Sequence, residues 1–334
     1  MELNVIQAGL LSSVQDGGRW GYQAQGVSLS GYADTDAATV ASLLVRQPPG
    51  GPVLEAGMGL TRLQLPAPVT LAVTGAGTTC SIGGEEVPCY RPVRVWQPCE
   101  LQVRVSRRQG YLALAPGINA PVVLGSASWQ AGTPLGLEPV QAGQRIPLGP
   151  GTDTWQSVKT WQAATWGVRP PAWTVGPVPV RIVPGPAYPL CSLAAQTRLA
   201  GGTFTLSPMM SRMGLQLAEK LPDAATLPGM LSSPATRGHI QATPDGTLIV
   251  LQADAQPTGG YPLIGWVCEA DQALLARLVP GDQVRFVLLT AEAAEALYLA
   301  RAAFVRQLTA AIRVRYHFDQ LRYGREFWGL DPGT

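Results

Sequence analysis

The sequence is poor in charged residues and in histidine, and this excludes several kinds of site. Only 14% of its 334 residues are charged and the net charge is +2, so the basic footprint typical of nucleic-acid-binding proteins is absent. The two histidines, His239 and His317, are far apart in sequence. No group of histidines, cysteines and carboxylates has the spacing of metal ligands. The sequence therefore predicts neither a nucleic-acid interface nor a metal site.

Several widespread motifs and segment types are also missing. There is no phosphate-binding loop of the form Gly-x-x-x-x-Gly-Lys-Ser/Thr, no His-Glu-x-x-His and no Gly-x-Ser-x-Gly. The five cysteines form no Cys-x-x-Cys pair, which is typical of reduced thiols and favours the cytoplasm. The start of the sequence lacks the features of a signal peptide. The sequence contains no run of about 18 apolar residues, so it predicts no membrane-spanning helix.

What the chain does contain is apolar sequence that is interrupted at short intervals. Hydrophobic residues make up 46% of it, which is ample for a core. Gly, Pro or Asp recurs about every eight to twelve residues, a spacing typical of β-sandwiches and barrels. The sequence therefore predicts a mainly-β fold, with strands at Val69–Thr74, Val93–Trp96, Leu101–Val105, Tyr111–Ala115, Val180–Val183, Leu248–Leu251 and Gln283–Leu289.

Two segments have helical periodicity instead. Asp34 is a candidate N-cap for a helix over Thr35–Val45. Thr290 is the candidate N-cap of a long C-terminal helix, predicted from about residue 291 to 315. Apolar residues recur along this second helix at spacings of three and four, namely Leu297, Ala300, Phe304, Leu308 and Ile312.

Composition divides the chain into four parts. Residues 1–150 form a predicted N-terminal β subdomain with one helix, residues 179–290 a second β subdomain, and residues 291–328 a C-terminal helical segment. Residues 151–178 are a connection rich in proline and tryptophan. Disordered linkers are poor in aromatic residues, so we expect this connection to be ordered and to pack either on this chain or on a partner.

The loop at 254–262 carries more polar groups than a plain turn needs. Asp254, Gln256, Thr258 and Tyr261 follow an apolar strand within eight positions. Gly259 and Gly260 allow a ligand or another backbone to approach closely. The sequence therefore predicts a binding loop here.

The segment Ser211-Arg212-Met213-Gly214 is a second candidate for binding. The guanidinium of Arg212 can hold a carboxylate or phosphate through two hydrogen bonds. The alternative is a structural arginine that caps backbone carbonyls of a barrel. The sequence alone leaves both interpretations open.

Polar residues near the N-terminus form a third candidate group. Gln15, Asp16 and Arg19 surround three glycines and form either a self-satisfied turn network or the border of a site. Asp34 is a further candidate for that border. Glu55 ends an apolar strand, so it is either paired with an arginine such as Arg19 or functional.

Ten ordered segments together resemble the allophanate hydrolase subunit 2 family, which is biotin-dependent carboxyltransferase-like and includes the C subunit of 5-oxoprolinase as well as KipA. The similarity extends over about residues 3–290. The segments are Ala8–Arg19, Ser30-Gly31, Ala41–Val45, Leu54-Glu55, Val73–Gly77, Gly110–Leu114, Val122–Ser126, Val183–Pro186, Ser211–Gly214 and Asp254–Pro262. The resemblance implies a cyclophilin-like β-barrel over residues 179–290.

The resemblance also implies a function. Members of the family take part in ATP-dependent 5-oxoprolinase, which opens 5-oxoproline to glutamate, or act as a carboxyltransferase. The implied partners are the other two 5-oxoprolinase subunits, a KipI-like protein (the B subunit) together with the A subunit. ATP is used by the complex, and biotin is a further cofactor of some members. The alternative is a non-catalytic, KipA-like regulator that sequesters a KipI-like partner.

The same resemblance assigns roles to individual residues. Asp254 and Arg212 are the implied catalytic pair. Donors that polarise an amide oxygen would come from the neighbouring residues, which are Ser211, Gln256, Thr258, Gly259, Gly260 and Tyr261. Two departures from the family pattern lie in this loop or directly after it. Leu263 stands where a basic residue is usual, and Pro257 where threonine is usual.

Overall fold

The computed structural model describes residues 1–150, 157–171 and 176–323. Two compact units account for the contacts within the chain. The sheet unit comprises Met1–Gly18, Asp34–Pro171 and Val305–Thr334, and the barrel unit comprises Arg19–Ala33 and Ala172–Phe304. In the predicted connection, residues 151–156 and 172–175 lie outside the described residues, and these include Trp155 and Trp173.

The sheet unit is built on one antiparallel sheet of ten strands. The strand order is β10-β7-β4-β8-β3-β1-β9, with β2 on β3, β5 on β8 and β6 on β5. The strands are β1 (Glu2–Gln7), β2 (Ser13–Gln15), β3 (Val53–Leu65), β4 (Val69–Thr74), β5 (Thr78–Ile82), β6 (Glu85–Val87), β7 (Val93–Val95), β8 (Cys99–Ala115), β9 (Arg145–Pro147) and β10 (Trp161–Ala163).

The core of this unit explains why these runs form strands. All six residues of β4, Val69–Thr74, are buried, as expected for a strand that is covered on both faces. The long strands β3 and β8 are buried without alternation over residues 53–57 and 110–114, and alternate buried and less buried residues over residues 60–65 and 100–106. Alternation is the pattern of a strand with one covered face. Valine and isoleucine together with leucine therefore supply most of the apolar core.

Helix α1 (Thr35–Leu44) packs its alanines and leucines into the sheet unit. The Asp34 side chain accepts a hydrogen bond from the Ala37 N–H at 3.0 Å, which satisfies one of the free donors at the helix start. Ala38, Ala41 and Leu44 are fully buried. The predicted helix and its cap are confirmed.

The barrel unit contains a closed barrel of seven strands in the order β11-β18-β15-β16-β13-β12-β19. The parallel pairing of β19 with β11 closes it. Its strands, with the short β14–β17 ribbon, are β11 (Val178–Pro184), β12 (Thr203–Met210), β13 (Gly214–Lys220), β14 (Ser233–Pro234), β15 (His239–Ala242), β16 (Thr247–Leu251), β17 (Thr258–Gly259), β18 (Leu263–Val267) and β19 (Gln283–Leu288).

Large apolar side chains fill the barrel interior. The Phe204 and Phe286 rings meet there with centroids 5.4 Å apart, within the range for favourable aromatic pairs. Two short helices also belong to this unit, α2 (Leu193–Gly201) and α3 (Glu269–Leu275). The sequence did not predict either helix, because each is too short to show a clear helical period. The mainly-β fold with a barrel is confirmed.

A final helix, α4 (Ala291–Tyr323), is longer than predicted. It begins as expected, with the Ala293 N–H donating to Thr290 Oγ1 at 3.3 Å. The apolar stripe from sequence is only partly buried, since Phe304 is 59% exposed whereas Ile312 is buried. Within the described part of the chain, no helix is both long and apolar enough to cross a bilayer.

The two compact units differ in two places from the parts of the chain that composition predicted. Residues 19–33 cluster with the barrel rather than with the rest of the N-terminal half, and α4 is divided between the units. In the predicted connection, Trp161 pairs with Val95 of the sheet, and Trp166 Nε1 donates to Asp319 of α4 at 2.7 Å. These two tryptophans thus pack on this chain.

Candidate functional site

The loop at 254–262 leaves strand β16 at a buried ion pair. Arg212 Nε donates to Asp254 Oδ2 at 2.8 Å, and Arg212 Nη2 donates to Asp254 Oδ1 at 3.1 Å. The two side chains are only 10% and 3% exposed. The structure thus brings together the two residues that the sequence singled out. Their catalytic role stays a prediction.

This ion pair also holds the segment at 28–31. Arg212 Nη2 donates to the Gly31 carbonyl at 2.6 Å, and Ser28 Oγ donates to the Asp254 carbonyl at 3.3 Å. The Ser30 N–H donates to the Ala253 carbonyl at 2.9 Å. We call Arg212, Asp254 and their contacts to 28–31 the clasp. These contacts support the structural interpretation of Arg212, and binding of a ligand carboxylate or phosphate stays a prediction.

Next to the clasp in sequence, a cavity of about 360 Å³ opens on the outer face of the barrel. The strand positions facing it are those that point away from the core, by the two-residue period of a strand. Apolar and uncharged polar side chains form its walls. They are Pro208, Met209, Met210, Ser211, Met213, Gly214, Gln216, Gln241, Ile249, Leu251, Gln256 and Tyr261.

Gln241 on β15 is a candidate that the sequence did not reveal. Its neighbours Ile240 and Ala242 belong to the barrel core, so its own side chain points to the outer face. Gln241 is 1% exposed, and its Nε2 donates to no atom among the described residues. A buried amide N–H₂ without an acceptor is costly, which distinguishes Gln241 from the other residues of the cavity wall.

Gly259 is explained by the same glutamine. A Cβ atom at position 259 would lie 2.4 Å from Gln241 Nε2, closer than two non-bonded heavy atoms approach. The glycine therefore lets the loop backbone lie against the buried amide. A polar residue between apolar positions of a strand, followed by a glycine-rich loop, is the signal from which Gln241 could have been found.

The predicted substrate-binding residues divide into two groups. Ser211, Gln256 and Tyr261 line the cavity, and Tyr261 is 44% exposed at its mouth. The others lie in or beside the β14–β17 ribbon, where Thr258 and Gly259 pair with Pro234 and Ser233, and Gly260 follows. The cavity thus gathers side-chain donors that can polarise a carbonyl oxygen.

The candidate border residues of the sheet unit form networks of their own. Asp16 accepts hydrogen bonds from Ser126 Oγ and Ser128 Oγ, both at 2.6 Å, and from the Ala127 N–H at 2.6 Å. Gln15 Nε2 donates to Ser13 Oγ at 2.9 Å. These contacts support the self-satisfied turn network. A role at the border of a site stays a prediction.

Glu55 and Asp34 meet at a buried tyrosine. Tyr111 Oη donates to Glu55 Oε2 at 2.9 Å and accepts from the Asp34 N–H at 2.7 Å. Burial raises the pKa of Tyr111 well above its usual range, and the neighbouring carboxylate of Glu55 adds to the rise. Tyr111 therefore stays protonated and ties two elements of the sheet unit together.

Arg19, the remaining candidate, belongs to the barrel unit and is fully buried. Its N–H donates to the Leu29 carbonyl at 2.6 Å, which helps fold residues 19–33 back on themselves. Over residues 1–150, 157–171 and 176–323, no group of three or more His, Cys, Asp or Glu side chains is placed to hold a metal ion.

Comparison with known proteins decides the family. The model of the carboxyltransferase domain, subdomain A and B, matches residues 25–288, which include the clasp, the cavity and the whole barrel. The chain belongs to the carboxyltransferase domain family. The match ends where α4 begins, so this helix lies outside the part that defines the family.

Two curated proteins are similar in sequence to this carboxyltransferase-domain chain. The C subunit of 5-oxoprolinase from Escherichia coli (strain K12) is 32% identical over 297 residues, covering 87% of this chain and 93% of the relative. Urea amidolyase of Saccharomyces cerevisiae is 30% identical over 129 residues, which is 38% of this chain and 7% of the relative.

A solved structure, that of TTHA0988, is similar to the carboxyltransferase-domain chain with a TM-score of 0.73 and 29% sequence identity. The similarity covers 86% of this chain and 55% of that one, so this chain spans about half of its length.

Proposed function

We propose that the protein is one subunit of a 5-oxoprolinase or of a related carboxyltransferase-like assembly, and that its cavity binds the amide substrate. The observation that carries the proposal is the cavity lined by Gln241, Gln256 and Tyr261 in a chain of the carboxyltransferase domain family. Donors aimed at a carbonyl oxygen stabilise the negative charge that develops there during attack or ring opening.

In this proposal the clasp positions the site. Arg212 and Asp254 satisfy one another and the Gly31 carbonyl, which supports a role in fixing the start of the 254–262 loop. Gln241, Gln256 and Tyr261 are the groups proposed to touch the substrate. The catalytic role of Arg212 and Asp254 is kept as the alternative assignment, in which a movement of the loop releases the pair.

The proposal includes partners and ATP. The E. coli relative is named as one subunit of a 5-oxoprolinase, and a chain of that type acts with others. For these we propose a KipI-like B subunit and, in a 5-oxoprolinase, an A subunit. ATP would be consumed by the assembly, and biotin would take part only in a carboxyltransferase-type assembly. We further propose that the assembly is cytoplasmic.

Reconstitution tests the proposal. The purified chain is assayed with ATP for conversion of 5-oxoproline to glutamate and for ATP-dependent carboxylation of urea by a biotinylated carrier, alone and with the candidate partner subunits. We expect turnover only with the partners. Gln241→Leu should lower turnover at least about tenfold, the effect of losing one donor to a developing oxyanion being 10²–10³ in favourable cases. Gln141→Leu on an exposed turn of the sheet unit is the matched control.

Two results would contradict the proposal. Full turnover by the isolated chain would show that no partner is needed. Tight binding of a KipI-like partner, with suppression of that partner's activity and no amide turnover, would instead support the regulatory alternative.

A further inference from the structure

The second half of helix α4, residues 305–322, is fixed to the sheet unit by one face. Ile312 and Tyr316 are buried there, and the Tyr316 ring meets the Trp166 ring edge-on, with centroids 5.2 Å apart. Residues four apart lie on the same side of a helix, so these contacts define its inner face. A helix that packs by one face usually presents polar residues on the opposite one.

The opposite face of this half of α4 is apolar instead. Phe318 follows Tyr316 by two residues, which is about 200° around the helix. Val314, Phe318 and Leu321 are 53%, 60% and 70% exposed, and Ala311 is exposed as well. We call these four residues, Ala311, Val314, Phe318 and Leu321, the outer stripe.

The spacing of the outer stripe indicates what covers it. Its members follow one another by three, four and three residues, the alternation of a and d positions in a coiled coil. A stripe of only two apolar residues per heptad is the narrow seam that a second helix completes. A helix that lies in a membrane interface buries a broader apolar face. The spacing therefore favours a helix as the occupant.

The exposed charges beside the outer stripe are positive. Residues 305–322 contain four exposed arginines, Arg306, Arg313, Arg315 and Arg322. The one carboxylate in this range, Asp319, is buried and accepts from Trp166 Nε1 at 2.7 Å. Arg315 and Arg322 directly follow the two d residues, at the e positions from which charges set the choice of partner.

This charge pattern decides between a second copy of the chain and a different partner. Two copies that pair about a two-fold axis bring the same surface of each together, so arginine flanks would lie near arginine flanks. Like charges facing one another oppose association. A helix with glutamate or aspartate at its flanking positions complements the arginines instead.

We propose that the outer stripe docks an amphipathic helix of a partner subunit, whose apolar seam packs on Phe318 and Leu321 and whose acidic flank pairs with Arg315. The inference rests on the proposed function for the existence of a partner subunit, and it adds the surface by which that partner is held. The family match ends at residue 288, so this surface lies outside the matched domain.

Binding between intact purified subunits tests the inference without measuring turnover. The candidate B and A subunits are each titrated against this chain by biolayer interferometry at low and high salt. We expect one of them to bind, and its affinity to fall as salt rises, because exposed charge pairs are screened. Phe318→Ala should weaken binding about tenfold or more, as for an aromatic anchor of an interface. Leu299→Ala, at a 56% exposed leucine elsewhere on α4, is the matched control and should change nothing.

A charge reversal tests whether the partner is acidic. Arg315→Glu should weaken the same binding about tenfold and make it less sensitive to salt. Arg104→Glu, at an exposed position of β8, is the control and should keep the parental affinity. The substitutions are all at exposed positions, so circular dichroism should show parental structure. If Phe318→Ala proves less folded, Leu321→Ala replaces it.

Three results would overturn the inference. The first is binding that either Phe318→Ala or Arg315→Glu leaves unchanged, and the second is no binding of either subunit. The third is a different occupant, seen as a dimer of the chain alone, or as attachment to phosphatidylglycerol vesicles, that Phe318→Ala abolishes. Assembly and turnover that do not depend on the outer stripe would leave the proposed function standing. Stripe-dependent binding without turnover would support the inference while the proposed function fails.

Discussion

Buried polar side chains of the barrel unit differ in whether their hydrogen-bonding groups have partners. The Arg212–Asp254 pair is matched, because each charge has its partner and Arg212 Nη2 also donates to the Gly31 carbonyl. Gln241 is the opposite case, a buried amide whose nitrogen has no acceptor within the described chain. Matched groups stabilise a fold, whereas an unmatched buried donor costs stability.

The clasp leads to a prediction about stability. Asp254→Ala leaves the guanidinium of Arg212 buried without its carboxylate, and breaking one side of a buried pair costs about 3 kcal/mol or more. We therefore expect the free energy of unfolding, measured by urea titration, to fall by about 3 kcal/mol. The control is Glu2→Ala, which removes the exposed Arg145–Glu2 pair at 3.5 Å and should change the unfolding free energy little. Equal effects of the two substitutions would show that the clasp does not stabilise the fold.

At this scale the sequence predicted part of the site. The excess of polar groups at 254–262 and the arginine at 212 pointed to residues that the structure does bring together. Gln241 was missed, because a polar residue between apolar strand positions becomes informative only once the loop that covers it is known. Nor could the sequence show that Arg212 also binds the Gly31 carbonyl, which lies far away along the chain.

The structure has the predicted secondary-structure elements where an apolar run lies between turn residues or a helix has a clear N-cap. The strands around Val69–Thr74 and Gln283–Leu288 and the capped helix α1 are placed as predicted. Helix α4 shows the limit. Its apolar spacing predicted a buried stripe through Phe304, yet Tyr316 and Asp319 are among its most buried residues. Tyr316 donates to the Leu44 carbonyl and Asp319 accepts from Trp166, and such tertiary contacts are not encoded in helical period.

The burial of His239, where β15 pairs with β18, leads to a prediction about how stability depends on pH. His239 on β15 lies edge-on to Trp266 of β18, with centroids 5.7 Å apart, and its Nδ1 accepts from the Thr236 N–H at 3.3 Å. Burial lowers the pKa of His239 below its usual value near 6.5. The unfolded chain therefore binds this proton more readily than the folded one, so stability is lost as the pH falls through about 6.5.

We expect the free energy of unfolding of the parent chain to decrease between pH 7.5 and pH 5.5, and His239→Gln to flatten that decrease. His317→Gln, at an exposed position of α4, is the matched control and should keep the parental slope. The measurement is a series of urea titrations across this pH range. An unchanged slope in His239→Gln would mean that other groups cause the pH dependence.

At the scale of the whole molecule, the chain builds its barrel unit from two distant segments. All seven barrel strands lie between Val178 and Leu288, yet residues 19–33 cluster with them. Arg237 reinforces the attachment, since its Nη1 donates to the Tyr32 carbonyl at 2.8 Å. Composition and periodicity could not predict this grouping, because segment 19–33 has only one short 3₁₀ helix, Gln23–Gln25, and its order comes from hydrogen bonds to the barrel.

Hydrogen exchange tests this organisation. The Ser30 N–H is bonded to the Ala253 carbonyl, so a peptide covering residues 26–34 should exchange slowly, although such an irregular segment would otherwise exchange fast. Asp254→Ala removes the carboxylate that fixes Arg212 and should speed exchange in this peptide by about tenfold or more. A peptide from β4, which is buried throughout the sheet unit, is the internal control and should be unaffected. Fast exchange of residues 26–34 in the parent chain would contradict the attachment itself, because it would show that these hydrogen bonds open independently of the barrel.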